Sequence, residues 1–157
     1  MSFNIQEATF EQILPYWSLK LWPERKSKIE SFSAINIDGE IDMHIADIAN
    51  PKFWVATSEN KIVGVISCQN TDLNIFRLRG VWVDKNFRHK GVGSSLTEVL
   101  KNYVSTQTQL QNLQSCLLWT MSRENNTAFY EQNGFSKKQR IDKYEYGPHW
   151  IMWLHSF

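Results

Sequence analysis

Two spacings of apolar residues alternate along the chain, and the changes between them mark out the elements. Phe3 and Ile5 alternate with polar positions over 2–8, which reads as an opening strand. Thr9 then offers a helix cap with Gln12 three residues on, and Phe10, Ile13, Leu14, Trp17 and Leu21 follow helical spacing. Pro15 falls inside that pattern and predicts a kink or a break into two short helices. Pro23 stands at a natural first-turn position for a further helix over 24–32. Ile37, Ile41, Ile45 and Ile48 favour a helix over 41–49, while the alternation from Ile37 to Ile45 also fits a strand.

Beyond Pro51 the pattern turns to strands. Residues 53–57 and 62–68 form a predicted hairpin around a turn at 58–61, and a looser turn over 69–74 leads into a strand over 76–84. Leu96, Val99, Leu100, Tyr103 and Val104 then recur at helix spacing, and polar residues 105–114 read as a linker. A buried strand follows over 115–121, then a short helix over 125–133 stopped by Gly134. A last strand pair, 135–146 and 150–154, surrounds Gly147-Pro148. This order implies an α/β (α+β) fold with a mixed sheet. With no repeat and no separating linker, residues 1–157 are expected to form one domain.

Composition changes this picture little. A chain of 157 residues with 42% hydrophobic and 21% charged residues can bury a core without metals or disulfides. The net charge of +1 gives no electrostatic case for nucleic acid. Cys68 and Cys116 lie in strand-like runs without metal or redox spacing, so both read as buried free thiols, and no metal is expected. No apolar run approaches the roughly 18 residues that span a bilayer, and no leader pattern is present, so no membrane partner and a cytoplasmic location are expected. Between Ile29 and Pro51 stand Glu30, Asp38, Glu40, Asp42 and Asp47 with no Lys or Arg. That stretch is either a solvated acidic face or a lining that favours a cationic ligand.

The chemistry concentrates at 87–95, Phe-Arg-His-Lys-Gly-Val-Gly-Ser-Ser, where a strand turns through glycines into a helix. Glycines let a backbone approach closely, and the free N–H groups and dipole of a helix start favour an anion. Arg88, His89 and Lys90 add positive groups at the same mouth. The segment lacks the Gly-Lys-Ser/Thr ending of phosphate-hydrolysing loops. Arg88-x-x-Gly91-x-Gly93 resembles the acyl-CoA pyrophosphate loop of the Gcn5-related N-acetyltransferases (GNAT). Residues 122–135, ending Phe129-Tyr130-Glu131-Gln132-Asn133-Gly134-Phe135, resemble that family's later Tyr-x-x-x-Gly-Phe motif.

The resemblance implies a sheet of about six to seven strands, flanked by about four helices and splayed at the cofactor-binding strand. It implies an acetyl-CoA-dependent N-acetyltransferase acting on a primary amine of a small molecule or peptide, as a monomer or homodimer; a non-catalytic acyl-CoA-binding domain is the alternative. Main-chain groups of His89, Lys90, Gly91, Val92, Gly93 and Ser94 would cradle the pyrophosphate, with Arg88 supporting the loop. Val81, Trp82 and Val83 would run beside the pantetheine arm. Tyr130 would serve as the acid for the departing sulfur. Asn125 or Asn126 would touch the cofactor, although the family's usual Asn position is Arg123 here, and capping also explains the two asparagines. The strand before the loop carries Arg77 and Arg79 where many members have a Glu base. Asp42, His44, His149 or ordered water remain as bases. Acceptor recognition would fall to the first helices and last strands, where Trp17, Trp22, Tyr144, Tyr146, Trp150 and Trp153 cluster.

Overall fold

The computed structural model describes residues 2–155. Seven strands form one mixed sheet in the order β1-β2-β3-β4-β5-β7-β6. They are β1 (Asn4–Ala8), β2 (Lys52–Ser58), β3 (Lys61–Asp72), β4 (Ile75–Val83), β5 (Leu117–Arg123), β6 (Ser136–Ile141) and β7 (His149–His155). All neighbours are antiparallel except β4 and β5, which run parallel. The helices are α1 (Phe10–Tyr16), α2 (Ile45–Ile48), α3 (Val92–Leu110) and α4 (Thr127–Gln132). Both faces of β2 are buried, so its near-continuous apolar run serves two layers. Trp54 and Ala56 join Leu96, Leu100 and Val104 of α3 on one face. Phe53 and Val55 join Ile13 and Trp17 on the other.

Thr9 caps α1 through the expected reciprocal pair: Gln12 donates its N–H to Thr9 Oγ1 at 3.2 Å, and Thr9 donates its N–H to Gln12 Oε1 at 2.9 Å. Pro15 does not end the helix. The chain instead widens into a π turn over Trp17–Leu21, one of the ways a helix absorbs a local defect.

Three expectations are corrected. No helix forms over 24–32; residues 22–44 are irregular apart from one bridge, Ile35 to Ile41. Glu24 has a φ of 57°, a left-handed conformation that cannot start a right-handed helix. The segment's backbone is held from the sheet: buried Gln69 accepts from the N–H of Ser33 and donates to its carbonyl, each at 2.8 Å. Over 41–49 only Ile45–Ile48 is helical, because Ile41 is used in the bridge. The stretch 105–114 is mostly helix, since α3 runs to Leu110. Its polar residues conceal a continuing inner face: Thr108 is buried, and its hydroxyl donates to the Val104 carbonyl at 2.8 Å.

The parting of β4 and β5 positions everything that follows. Their pairing covers only Ile75–Leu78 against Leu117–Thr120. Gly80 lies where the β3–β4 register shifts, with a φ of 69°. Its carbonyl accepts the Trp17 indole N–H at 2.9 Å, and a Cβ there would lie 2.3 Å from Trp17 Nε1. Gly80→Ala should therefore cost about 2–5 kcal/mol, combining a left-handed alanine with overpacking. Chemical denaturation would measure it; a cost under about 0.5 kcal/mol would contradict this close approach.

Candidate active site

A cavity of about 520 Å³ opens where β4 leaves β5. The last residues of β4, the turn before α3 and the start of α4 surround it. Asp84 donates its N–H to Val63 of β3 at 2.8 Å. Strand alternation therefore turns the N–H groups of Val81 and Val83 toward the gap, where no strand pairs with them. Trp82 is buried, with its ring 5.1 Å from that of Tyr16. Arg88 Nε donates to the Val83 carbonyl at 3.2 Å, tying the turn to the strand end.

The turn reverses on His89 and Gly91, with φ of 61° and 86°. Gly91 precedes α3, and a Cβ there would meet nothing within 4 Å. Its glycine thus answers to backbone conformation and to whatever occupies the open space. Gly93 answers to packing, since a Cβ would lie 2.9 Å from the Phe129 ring. The first-turn N–H groups of α3 lack helical partners and face the cavity mouth with Arg88 and His89. Neither Arg88 nor Lys90 is ion-paired among the described residues.

Tyr130 lines the opposite wall and is 8% exposed. Burial raises its phenol above the usual range, against the opposing effects of a hydrogen bond with Thr120 and the charge of Arg77. The hydroxyl stays protonated at neutral pH and is a donor. Rings of Phe129 and Phe135 pack edge-on to it at 5.1 and 5.7 Å.

A second cavity, about 300 Å³, lies along β4 from the first. Arg77–Gly80 line it, whereas Val81–Val83 line the first. The irregular segment 22–35 and the β6–β7 connection form its other walls. His149 is buried here, with Nδ1 2.8 Å from the Gly147 carbonyl. That oxygen only accepts, so Nδ1 carries the proton and Nε2 keeps its lone pair. Burial lowers the His149 pKa, and the ring is neutral at neutral pH.

The sequence profile of the acetyltransferase (GNAT) domain matches residues 49–137, more than half of the chain. The chain belongs to the GNAT family. This GNAT chain is also 42% identical over 45 residues to N-acetylaspartate synthetase of Xenopus tropicalis. That match covers 28% of this chain and 17% of the frog protein. Among solved structures, Ard1 from Thermoplasma volcanium superposes with a TM-score of 0.71 at 18% identity, covering 100% of this chain and 99% of that one. Arabidopsis thaliana Naa50, in complex with the bisubstrate analogue CoA-Ac-MVNAL, gives 0.69 at 19% identity and covers 100% of both chains. These structures share the fold.

The first cavity of this GNAT chain gathers Val81, Trp82, Val83, Arg88, His89, Gly91, Val92, Gly93, Ser94, Asn126 and Tyr130. Lys90 and Asn125 are exposed and do not line it. Asn126 precedes α4 without a side-chain capping bond, so the capping explanation fails for it. Of the three candidate bases, His149 alone lines either cavity; Asp42 accepts from the N–H of His44, whose ring is exposed. The five acids over 29–51 line neither cavity, and Asp38 pairs with Lys138 at 3.3 Å. Among the described residues, no group of His, Cys, Asp or Glu is placed to hold a metal ion. Among the described residues, no helix is long and apolar enough to cross a membrane. Sequence reasoning did not place Arg25, Arg77 and Arg79 at a site. The available signal was two arginines alternating with Phe76 and Leu78 in a strand buried on both faces.

Proposed function

We propose that this chain is an acetyl-CoA-dependent N-acetyltransferase acting on a primary amine of a small molecule or peptide. The observation that carries the proposal is a single cavity lined by a glycine turn at a helix start, an unpaired strand edge and a buried tyrosine. The residues fit the cofactor. Unpartnered N–H groups at the start of α3 suit a pyrophosphate, and the open space at Gly91 admits it. Val81 and Val83 offer their backbone to an amide-bearing arm as a neighbouring strand would. Bound acetyl-CoA would supply an acetyl group activated as a thioester, so that a C–N bond replaces the C–S bond; the ammonium loses one proton to become the attacking amine and a second on acylation, one of the two ending on sulfur and the other in solvent.

Tyr130, kept protonated by burial, donates to the departing sulfur. His149, neutral with Nε2 free to accept, or water takes the proton from the amine. Arg88 acts through the turn it braces. The bisubstrate analogue bound by Naa50 and the product named for the frog synthetase accord with this reading. In this reading residues 1–157 act as a single domain, and the free Cys68 and Cys116 accord with a cytoplasmic setting. Thermal denaturation tests the cofactor assignment. Acetyl-CoA at a hundredfold excess over its Kd should raise Tm by about 5–10 °C, and ATP should not. No shift, or an equal shift with ATP, overturns it.

A further inference from the structure

Arg77 poses a problem that the reading above leaves unsolved. Its guanidinium is buried, and its Nε and Nη1 have no hydrogen-bond partner among the described residues. The Trp119 ring, 4.9 Å away, covers one face of the guanidinium but accepts nothing from its N–H edge. Arg79 is also buried. It stacks on Trp17 and Trp22 at 4.8 and 5.1 Å and donates only to the Glu30 carbonyl. Arg25 completes the lining, over Trp22 at 5.2 Å, with Nε on the Ser27 hydroxyl at 2.9 Å. None of the three is ion-paired to a carboxylate among the described residues. Glu145 is the acid lining this cavity, and it is exposed.

A buried charge without a partner is costly, and proteins ordinarily pair it. Burial pushes Arg77 down to about 10, so it remains charged at neutral pH. Three guanidiniums around about 300 Å³ make a site suited to an anion. We propose that this second cavity is the acceptor site, and that the acceptor is a small amine of amino-acid size bearing a carboxylate, which Arg77 binds. The proposal rests on the acetyltransferase reading. Two further observations agree with it. Successive residues of β4 line the two cavities, and Tyr130 lies within the electrostatic reach of Arg77. The cationic lining also disfavours an ammonium, so the amine sheds its proton more readily where β4 carries no carboxylate base. A polycationic acceptor is repelled.

The test uses the standard L-α-amino acids and their C-terminal amides as matched probes. The acids should raise the Tm of the protein without acetyl-CoA, and the amides should not. For the amino acids that bind, kcat/KM should exceed that of the matched amide by roughly 10- to 100-fold, the scale of a hydrogen bond to a charged group. Arg77→Met should abolish the preference, and Arg77→Lys, which keeps the charge, should retain part of it. Equal use of acids and amides, failure of every acid to bind, or an unchanged preference in folded Arg77→Met overturns the inference. The wild-type contrast decides the matter where neither variant folds. The acetyl-CoA shift separates the two claims: a shift without acid preference sinks this inference alone, and acid binding without a shift sinks the acetyltransferase reading and with it the acceptor role, leaving only a carboxylate-binding cavity.

Discussion

Tyr130→Phe is expected to lower turnover by roughly 10²–10⁴-fold, the usual loss of a positioned general acid, with the acetyl-CoA Kd changed by less than about threefold. The substitution keeps the ring that packs on Phe129 and Phe135. It also leaves no orphan behind, because the Thr120 hydroxyl donates to the Leu78 carbonyl at 3.0 Å regardless. Only the proton donor is removed. A change under threefold in Kd is under about 0.7 kcal/mol, small beside about 3–5 kcal/mol in the barrier. Steady-state kinetics on an amine that the wild type acetylates, with calorimetric titration of acetyl-CoA, separates the two quantities. Wild-type turnover, with chemistry shown to limit the rate, would make Tyr130 a packing residue.

Gly91→Val should abolish the acetyl-CoA-induced rise in Tm. A Cβ at this position touches nothing in the protein, so the variant should still fold. At a φ of 86° a valine is strained by about 1–2 kcal/mol or more, which lowers the apo Tm by roughly 2–8 °C. The branched side chain occupies the space through which a pyrophosphate must approach the helix start. Differential scanning fluorimetry of the variant with and without acetyl-CoA reads both effects. A folded variant with an undiminished ligand shift would remove the turn from the cofactor site.

The strands and the α3 turn were legible because each rests on a local signal. Apolar runs ended at turn residues, the Thr9–Gln12 pair capped α1, and Gly91 and Gly93 marked the strand-to-helix reversal. Local signals failed where distant groups took over. In 22–44 the backbone is satisfied by Gln69 and Arg79 from the sheet and by Tyr144 and Tyr146 from the β6–β7 connection, none of which a local window contains. The helical spacing of its isoleucines was real, yet Ile41 serves a bridge and only the last turn coils. The second cavity was illegible for the same reason. It forms between that irregular segment and the β6–β7 connection, so the acids over 29–51 drew attention by their number while lining no cavity. Two of the arginines that do line it, Arg77 and Arg79, stood in plain view on β4, and their burial without a carboxylate is a property of the packed sheet alone.

The acetyltransferase reading is tested most directly by incubating the protein with acetyl-CoA and a panel of primary amines, then measuring released thiol and the mass of each amine. Acetylated amine should accumulate in equimolar step with free CoA, and both should depend on Tyr130. Binding of acetyl-CoA with no acetylated amine across the panel, and thiol release no faster than without protein, would contradict it and make the chain a non-catalytic acyl-CoA-binding domain.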